Sequence, residues 1–305
     1  MESMNSMNRS NRSSPSARTF LFSGLLLGLT GFALVLTDFK PFKKIPLGNE
    51  KELKATIEGG LADITVARGT ASTILDAELA LEEEDSPRGT VDYSSRGGVG
   101  YVSVDLNPDE WEEGKGKKKG RHLNIHSSSW KLLYTDAIPI SFDIELGLGK
   151  GDIDMSGLNV KDFDLSTGAS SVRLAFNEPN KGAIETMTIE AGLSKFRAMG
   201  LGNANFRRLH FEGGVGKYTL DFHGSLKKEV DVDAEVGLGA LMIVIPSNIG
   251  ARIIYEKNWI CDLDIDPDFV EQDNDTYQTS NYATAAGRIN LRVEAGFGSV
   301  DIRRD

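Results

Sequence analysis

The chain has 305 residues, a formal net charge of −11 at pH 7 and a hydrophobic content of 40%. This length allows one large or two modest domains, and the negative charge argues against non-specific nucleic-acid binding, which needs a basic face. The single cysteine, Cys261, excludes an internal disulfide framework and any multi-cysteine metal site. We expect it to be a small, buried hydrophobic side chain.

The sequence predicts a tail, a membrane anchor and a linker in the amino-terminal part of the chain. Residues 1–18 are rich in Ser, Asn, Met and Arg and lack apolar periodicity, which predicts a disordered tail. Residues 19–37 include an uncharged apolar run, Phe20 to Leu36, just long enough to cross a bilayer. We interpret residues 19–37 as an uncleaved transmembrane helix. A cleaved signal peptide is the alternative, although no small-x-small cleavage site follows. Residues 38–52 are interpreted as a polar linker.

Charges on both sides of the apolar run bear on its orientation. Three arginines precede it and three lysines follow it: Arg9, Arg12, Arg18, Lys40, Lys43 and Lys44. The preceding arginines favour an amino terminus that stays inside and an exported carboxy-terminal domain. The following lysines make this charge asymmetry weak.

One short pattern recurs seven times in the rest of the chain: Glu, any residue, Gly, an apolar residue and a small residue. The copies begin at Glu58, Glu145, Ser166, Glu190, Glu212, Glu235 and Glu294, so that one copy lacks the Glu. The key glycines from the second to the sixth copy lie 21, 24, 22 and 23 residues apart: Gly147, Gly168, Gly192, Gly214 and Gly237. Self-similarity at this period is the signature of a solenoid.

Apolar residues alternate with polar ones on both sides of each key glycine. In the sixth copy they are Val230, Val232 and Ala234 before Gly237, and Leu241, Ile243 and Ile245 after it. Alternation with β-branched residues indicates strand, and the glycine lets the strand bend, because it tolerates positive φ. We therefore predict an all-β fold over residues 53–305, a β-solenoid of stacked coils of about 21–24 residues, with its core at 142–256.

Two stretches depart from the repeat. Residues 82–141 are predicted to form a hairpin insertion, with strands at Val102–Leu106 and Leu123–Ile125 and a basic tip at 114–120. The tip is a solubilising loop or contacts an anionic surface. Residues 257–288 are acidic and loop-like, and the last copy, Asn290–Asp305, is expected to cap the stack or to lie at its edge.

The repeated glutamates are the first candidate site. In a parallel stack Glu58, Glu145, Glu190, Glu212, Glu235 and Glu294 would lie about 5 Å apart. Three lysines at a fixed offset could interleave with them: Lys150, Lys195 and Lys217. The row is an exposed, partly neutralised polar ladder, or alternatively a site for cations or a basic partner.

The remaining candidates do not form a catalytic constellation. The period-two aspartates Asp262, Asp264, Asp266 and Asp268 suggest calcium but lack the Gly and Glu positions of an EF-hand loop, and the interleaved Leu263 and Ile265 favour a strand. His122 and His126 are four apart, a spacing that suits a metal on a helix, whereas this segment reads as strand. We predict a protein that is not an enzyme, with no catalytic, cofactor-binding or metal-binding residues and no cofactor.

From Trp130 to Ile253 the chain resembles the bacterial toast-rack domain and the related carboxy-terminal domain of cell-wall-active-antibiotic-response proteins. The residues that carry the resemblance are Trp130, Ile138–Ile140, Glu145–Asp154, Gly157-Leu158, Leu165–Ala169, Gly237–Leu241 and Ile245–Ile249. The resemblance implies a stacked β-solenoid-like domain in a bacterial envelope protein without known catalytic residues, sometimes tied to envelope-stress sensing or described as adhesin-like. Antibiotic-response proteins often have several membrane segments, whereas we predict one in this chain.

These observations give two hypotheses about function. The first is a non-enzymatic, single-pass protein of the bacterial cell membrane, held through residues 19–37, whose exported solenoid presents a surface to a protein partner or a cell-wall component. The second is a glycan-binding or glycan-active solenoid. Solenoid edges that pair end to end would make the protein a homo-oligomer.

Overall fold

A computed structural model describes residues 39–80, 89–106, 128–256, 260–273 and 275–305. Within these ranges no helix is both long and apolar enough to cross a membrane. The expected tail (1–18) and anchor (19–37) lie outside the described residues, as do the basic tip at 114–120 and the histidines His122 and His126.

The described residues form sixteen β-strands and one 3₁₀ turn, Leu201–Asn203. The strands are β1 (Phe39–Pro46), β2 (Glu52–Arg68), β3 (Thr73–Ala80), β4 (Thr90–Arg96), β5 (Val99–Asp105), β6 (Ser128–Tyr134), β7 (Ile140–Asp154), β8 (Val160–Ala175), β9 (Ile184–Met199), β10 (Phe206–Asp221), β11 (Glu229–Ile245), β12 (Gly250–Glu256), β13 (Cys261–Ile265), β14 (Phe269–Asp273), β15 (Thr276–Thr279) and β16 (Arg288–Arg304). The all-β prediction is confirmed.

Seven long strands stack in parallel and in register, in the order β2, β7, β8, β9, β10, β11, β16. They are the seven copies of the repeat. One inward row shows the register: Ile57, Ile144, Leu165, Ile189, Phe211, Ala234 and Val293 face one another on successive strands, and all are buried. Six steps of about 4.8 Å make this stack about 29 Å long. A continuous apolar ladder of this kind is what the solenoid prediction requires.

Each long strand has a first half before the glycines and a second half after them. In β7 the buried positions are Ile140, Phe142, Ile144 and Leu146 in the first half but Gly151 and Ile153 in the second. The alternation therefore changes phase at the bend, so that both halves turn their apolar side chains toward one core.

The glycines at the bend have two different roles. Positive φ occurs not at the key glycine but two residues later, at Gly149 (φ 128°), Gly239 (φ 142°) and Gly298 (φ 131°). The expectation of positive φ at the key glycine is therefore wrong. Among the key glycines a β-carbon would instead meet the backbone of the neighbouring coil, and close approach is what requires Gly there.

At each end of the stack the outermost long strand pairs with two shorter strands. The first half of β2 pairs with β5 and its second half with β6. At the other end β16 pairs with β12 through its first half and with β13 through its second. Antiparallel strands then cover these additions: β4 on β5, β3 and β1 beyond β6, and β15 and β14 beyond β12.

Four expectations about the ends are wrong. The expected linker, residues 38–52, contains β1, which pairs antiparallel with β3. The hairpin partner of β5 is β4, joined through Gly97 and Gly98, both with positive φ, as a two-residue hairpin turn needs. The other edge of β5 pairs with β2, and residues 123–125 lie outside the described residues. The loop-like region 257–288 contains β13, β14 and β15, and the last repeat copy, β16, is not at the edge of the stack.

Candidate functional site

The repeated glutamates form one continuous row on the outside of the first half-strands. Their register is Glu58, Glu145, Ser166, Glu190, Glu212, Glu235 and Glu294, and it continues to Asp105 on β5 and Glu256 on β12. Neighbouring members are about 4.8 Å apart along the stack. The predicted ladder is confirmed. Sequence reasoning missed Asp105 and Glu256 because neither precedes the glycine motif.

The lysines do not interleave with this row. Lys150, Lys195 and Lys217 lie past the bend on the second half-strands, with Lys195 and Lys217 in register. The Lys150 ammonium lies 3.8 Å from the Asp63 carboxylate, which belongs to the same second-half row. The expectation of alternating Glu and Lys is therefore wrong, because the bend places the two residue types on different faces.

An exposed apolar row follows the bend itself, between the glutamates and the lysines. Its register is Leu61, Leu148, Ala169, Leu193, Val215, Leu238 and Phe297. Five of these side chains are strongly exposed: Leu148 49%, Leu193 63%, Val215 43%, Leu238 46% and Phe297 56%. Single exposed apolar residues are ordinary, but a contiguous row of them marks an interaction surface.

A shallow groove of about 360 Å³ runs beside the apolar row. Its lining includes Glu145, Ser166, Glu190 and Glu212, together with key glycines of the bend. We call the glutamate row, this groove and the apolar row together the corner surface. It repeats one arrangement from coil to coil, an acidic line beside an apolar line.

The other sequence-predicted candidates are engaged elsewhere. Asp264 pairs with Arg303, and Asp268 lies 3.8 Å from Arg304. Trp130, one of the residues that carry the family resemblance, is fully buried and donates its indole N–H to Ser128. Cys261 is half-buried against the core rather than fully buried. In the described part of the chain no cluster of three or more His, Cys, Asp or Glu side chains could hold a metal ion.

Comparison with protein-family models assigns this chain to a family. The model of the N-terminal domain of toast_rack, DUF2154, matches residues 37–197. The chain belongs to the toast-rack family. The match starts at β1 and includes β2 to β8 and nearly all of β9, so the toast-rack region extends well to the amino-terminal side of the resemblance read from the sequence.

Solved structures similar to this toast-rack chain have low sequence identity. A candidate cell adhesion protein from Clostridium sporogenes is 17% identical, with a TM-score of 0.44, over 88% of this chain and 100% of that chain. Candidate adhesins from Bacteroides fragilis and Parabacteroides distasonis are 14% and 12% identical, with TM-scores of 0.29 and 0.27, each over 88% of this chain and over 99% and 98% of theirs. Among curated proteins, none matches the sequence.

Proposed function

We propose that this toast-rack protein is a non-enzymatic, membrane-anchored protein of the bacterial cell envelope whose corner surface binds an elongated partner protein. The observation that carries the proposal is the exposed apolar row, in which Leu193 leaves 63% of its surface in water and Phe297 56%. Covering apolar surface contributes about 25 cal/mol per Å². A partner that lay along the row would gain this contribution from several coils at once.

The chemistry of the partner follows from the neighbouring charges. The glutamate row runs parallel to the apolar row, and Glu145, Glu190 and Glu212 line the groove beside it. A partner with an apolar stripe bordered by Lys or Arg would complement both the apolar row and the glutamate row. The partner is therefore expected to be a long protein segment with apolar and basic residues on one side. Binding a partner in this way requires no catalytic residues on the corner surface.

Placement in the envelope rests on the sequence. The uncharged run Phe20 to Leu36 ends three residues before β1 starts at Phe39. The length and the apolar composition of this run support the proposal of a membrane anchor, because about 17–25 apolar residues are needed to cross a bilayer as a helix. Anchoring would hold the corner surface at the membrane, where an elongated envelope protein could lie along it.

Site-specific photocrosslinking tests the partner. A benzoylphenylalanine at position 193 of the full-length chain, in membranes of cells that make it natively, should capture one main protein. The substitutions Glu190→Gln and Glu212→Gln together should reduce this product several-fold, because they remove two charges beside the apolar row. Mapping should place the captured residue in a segment that has apolar and basic side chains.

The matched control is a benzoylphenylalanine at position 254. Ile254 is 47% exposed on β12, on the outside of the first half-strands and not at the bend. We expect no such product there. The same product from both positions, no change with the Glu190→Gln/Glu212→Gln pair, or capture of a second copy of the chain would each contradict the proposal.

A further inference from the structure

A second cavity, of about 490 Å³, lies on the opposite side of the bend from the glutamate row, over the second halves of β2, β7, β8 and β9. Its charged lining consists of Lys150, Arg173, Lys195, Arg197, Asp63 and Asp152. Four cations against two carboxylates leave a formal charge of +2, in a chain whose net charge is −11. The formal charge of this cavity is therefore opposite in sign to the net charge of the whole protein.

Two of the four cations are already held by the two carboxylates. The Arg173 guanidinium donates to Asp152 over 2.7 Å, and the Lys150 ammonium lies 3.8 Å from Asp63. Asp63 also accepts the backbone N–H of Lys150 over 2.9 Å. These contacts orient one edge of the cavity but leave its excess charge unbalanced.

The other two cations, Lys195 and Arg197, supply that excess. They lie two residues apart on β9 and both point outward. Within the described residues no hydrogen bond or ion pair occupies either group. Arg197 faces Arg173 on β8, and Lys195 faces Lys217 on β10, so each has a like charge as its neighbour across the sheet. Like charges directly opposite one another are unfavourable, and a bound anion would relieve this repulsion.

The repeat itself does not require these charges. In β11 and β16 the position of Lys195 is taken by Ala240 and Ser299, and the position of Arg197 by Met242 and Asp301. The inward positions keep their apolar character along the whole stack, whereas these outward positions are free to vary. The cations are thus concentrated at the coils that form the cavity.

We propose that this cavity binds a phosphate-bearing anion, with Lys195 and Arg197 as its principal ligands and Arg173 and Lys150 at its far edge. Arginine offers a planar pair of N–H donors that fits phosphate, and lysine adds a compact point charge. A tetrahedral phosphate can accept from donors on several sides at once, as the grid of β7, β8 and β9 provides. The same chemistry is offered by free phosphate and by the phosphodiester headgroup of an anionic lipid.

Calorimetric titration of the purified full-length chain tests this site and separates the two sources. Inorganic phosphate is the probe for a free anion, and glycerophosphoglycerol is the probe for a lipid headgroup, both at constant ionic strength. We expect saturable binding of at least one of them. The double variant Lys195→Gln/Arg197→Gln should weaken it at least about tenfold, because it removes two charge-assisted hydrogen bonds.

A charge-matched variant distinguishes binding at this cavity from a non-specific effect of the net charge of the protein. Lys54→Gln/Arg96→Gln removes one lysine and one arginine that are exposed on β2 and β4, away from the cavity, and it should change affinity less than twofold. Equal weakening by the two variants, or no saturable binding of either probe to the native chain, would overturn the proposal. The Glu190→Gln/Glu212→Gln pair should leave phosphate binding unchanged, so this test does not depend on the corner surface.

Discussion

A β-carbon placed on Gly168 would lie 2.5 Å from the carbonyl oxygen of Gly147 in the preceding coil. This contact is between a glycine and the backbone, so no flexible side chain can move aside to make room. The repeated glycine therefore sets how closely the coils stack at the bend.

The first prediction concerns Gly168→Ala, which should destabilise the protein by about 1–3 kcal/mol, the usual range for overpacking. Gly192→Ala is the matched comparison, because its β-carbon would meet the nearest backbone oxygens at 3.2 Å. It should cost clearly less than Gly168→Ala. Urea unfolding followed by circular dichroism measures both, and equal costs would show that the close approach at Gly168 is not the limiting contact.

The second prediction concerns Asn180, a buried side chain in the return loop between β8 and β9. Its amide oxygen accepts the backbone N–H of Val160 over 2.8 Å, and its NH₂ donates to the carbonyls of Val160 (2.8 Å) and Ala204 (3.0 Å). Asn180→Ala should cost about 2–4 kcal/mol of unfolding free energy, because it leaves these buried groups unpaired.

The control for Asn180 is Asn177→Ala in the same loop. Asn177 is exposed and its side chain makes a single long contact of 3.4 Å with Asp154. We expect a cost below about 0.5 kcal/mol, as for most surface substitutions. If both alanine variants unfold at the same urea concentration, the loop is not held through Asn180.

The core of the fold could be predicted from the sequence, because the two-residue alternation of apolar side chains and the regular spacing of the key glycines occur together there. Alternation such as Val230, Val232 and Ala234 gives strands, and the glycine spacing gives the number of stacked coils. Parallel stacking in register then places Glu58, Glu145 and the other glutamates in one row without further information. Local pattern and global arrangement agree in this region.

The ends and the exposed apolar row are not readable in this way. Strand β1 contains Pro41 and Pro46 and three lysines, a composition that looks like a linker yet is suited to the edge of a sheet, where proline is tolerated and charge blunts the edge. The apolar residue of each motif, such as Leu193, could point in or out, because the phase of the alternation changes at the bend. Only the geometry of the bend decides that it points to solvent.

The third prediction concerns Arg304, whose side chain is only 6% exposed. Its guanidinium donates to the carbonyls of Pro246 (3.0 Å), Ser247 (2.8 Å) and Ile249 (2.7 Å), in the loop between β11 and β12, and its central carbon lies 5.7 Å from the Phe269 ring centroid. Arg304→Met should destabilise by about 2–4 kcal/mol, because three carbonyls lose a charged donor.

Arg303→Met is the control for Arg304→Met. The Arg303 side chain is 38% exposed and pairs with Asp264 and Asp301, and surface pairs contribute about 0–1 kcal/mol. Thermal or urea unfolding of the two variants should separate them clearly. Equal loss of stability would mean that the backbone contacts of Arg304 are not what stabilises this end of the stack.

His223 connects the end of β10 to Asp305. Its Nδ1 lies 2.6 Å from Asp221 and its Nε2 3.2 Å from Asp305. The hydrogen bond to Asp221 raises the pKa of His223 above its ordinary value, against a smaller opposing effect of burial. A pKa raised in the folded state means that the protonated imidazole stabilises the fold. This contribution is complete below the unfolded pKa, about 6.5, and is lost as pH rises through the folded pKa.

The fourth prediction is therefore a pH-dependent effect of His223→Gln. The melting temperature should fall below that of the native chain at pH 5.5, and the difference should shrink toward pH 9, where the native imidazole is neutral as well. Because the side chain is 49% exposed, the effect is expected to be small, about 1–3 °C. His210→Gln is the control, since within the described residues the His210 side chain has no hydrogen bond or ion pair, and at pH 5.5 it should lower the melting temperature less than His223→Gln does. A difference for His223→Gln that is the same at pH 5.5 and pH 9 would show that the protonated imidazole does not stabilise this junction.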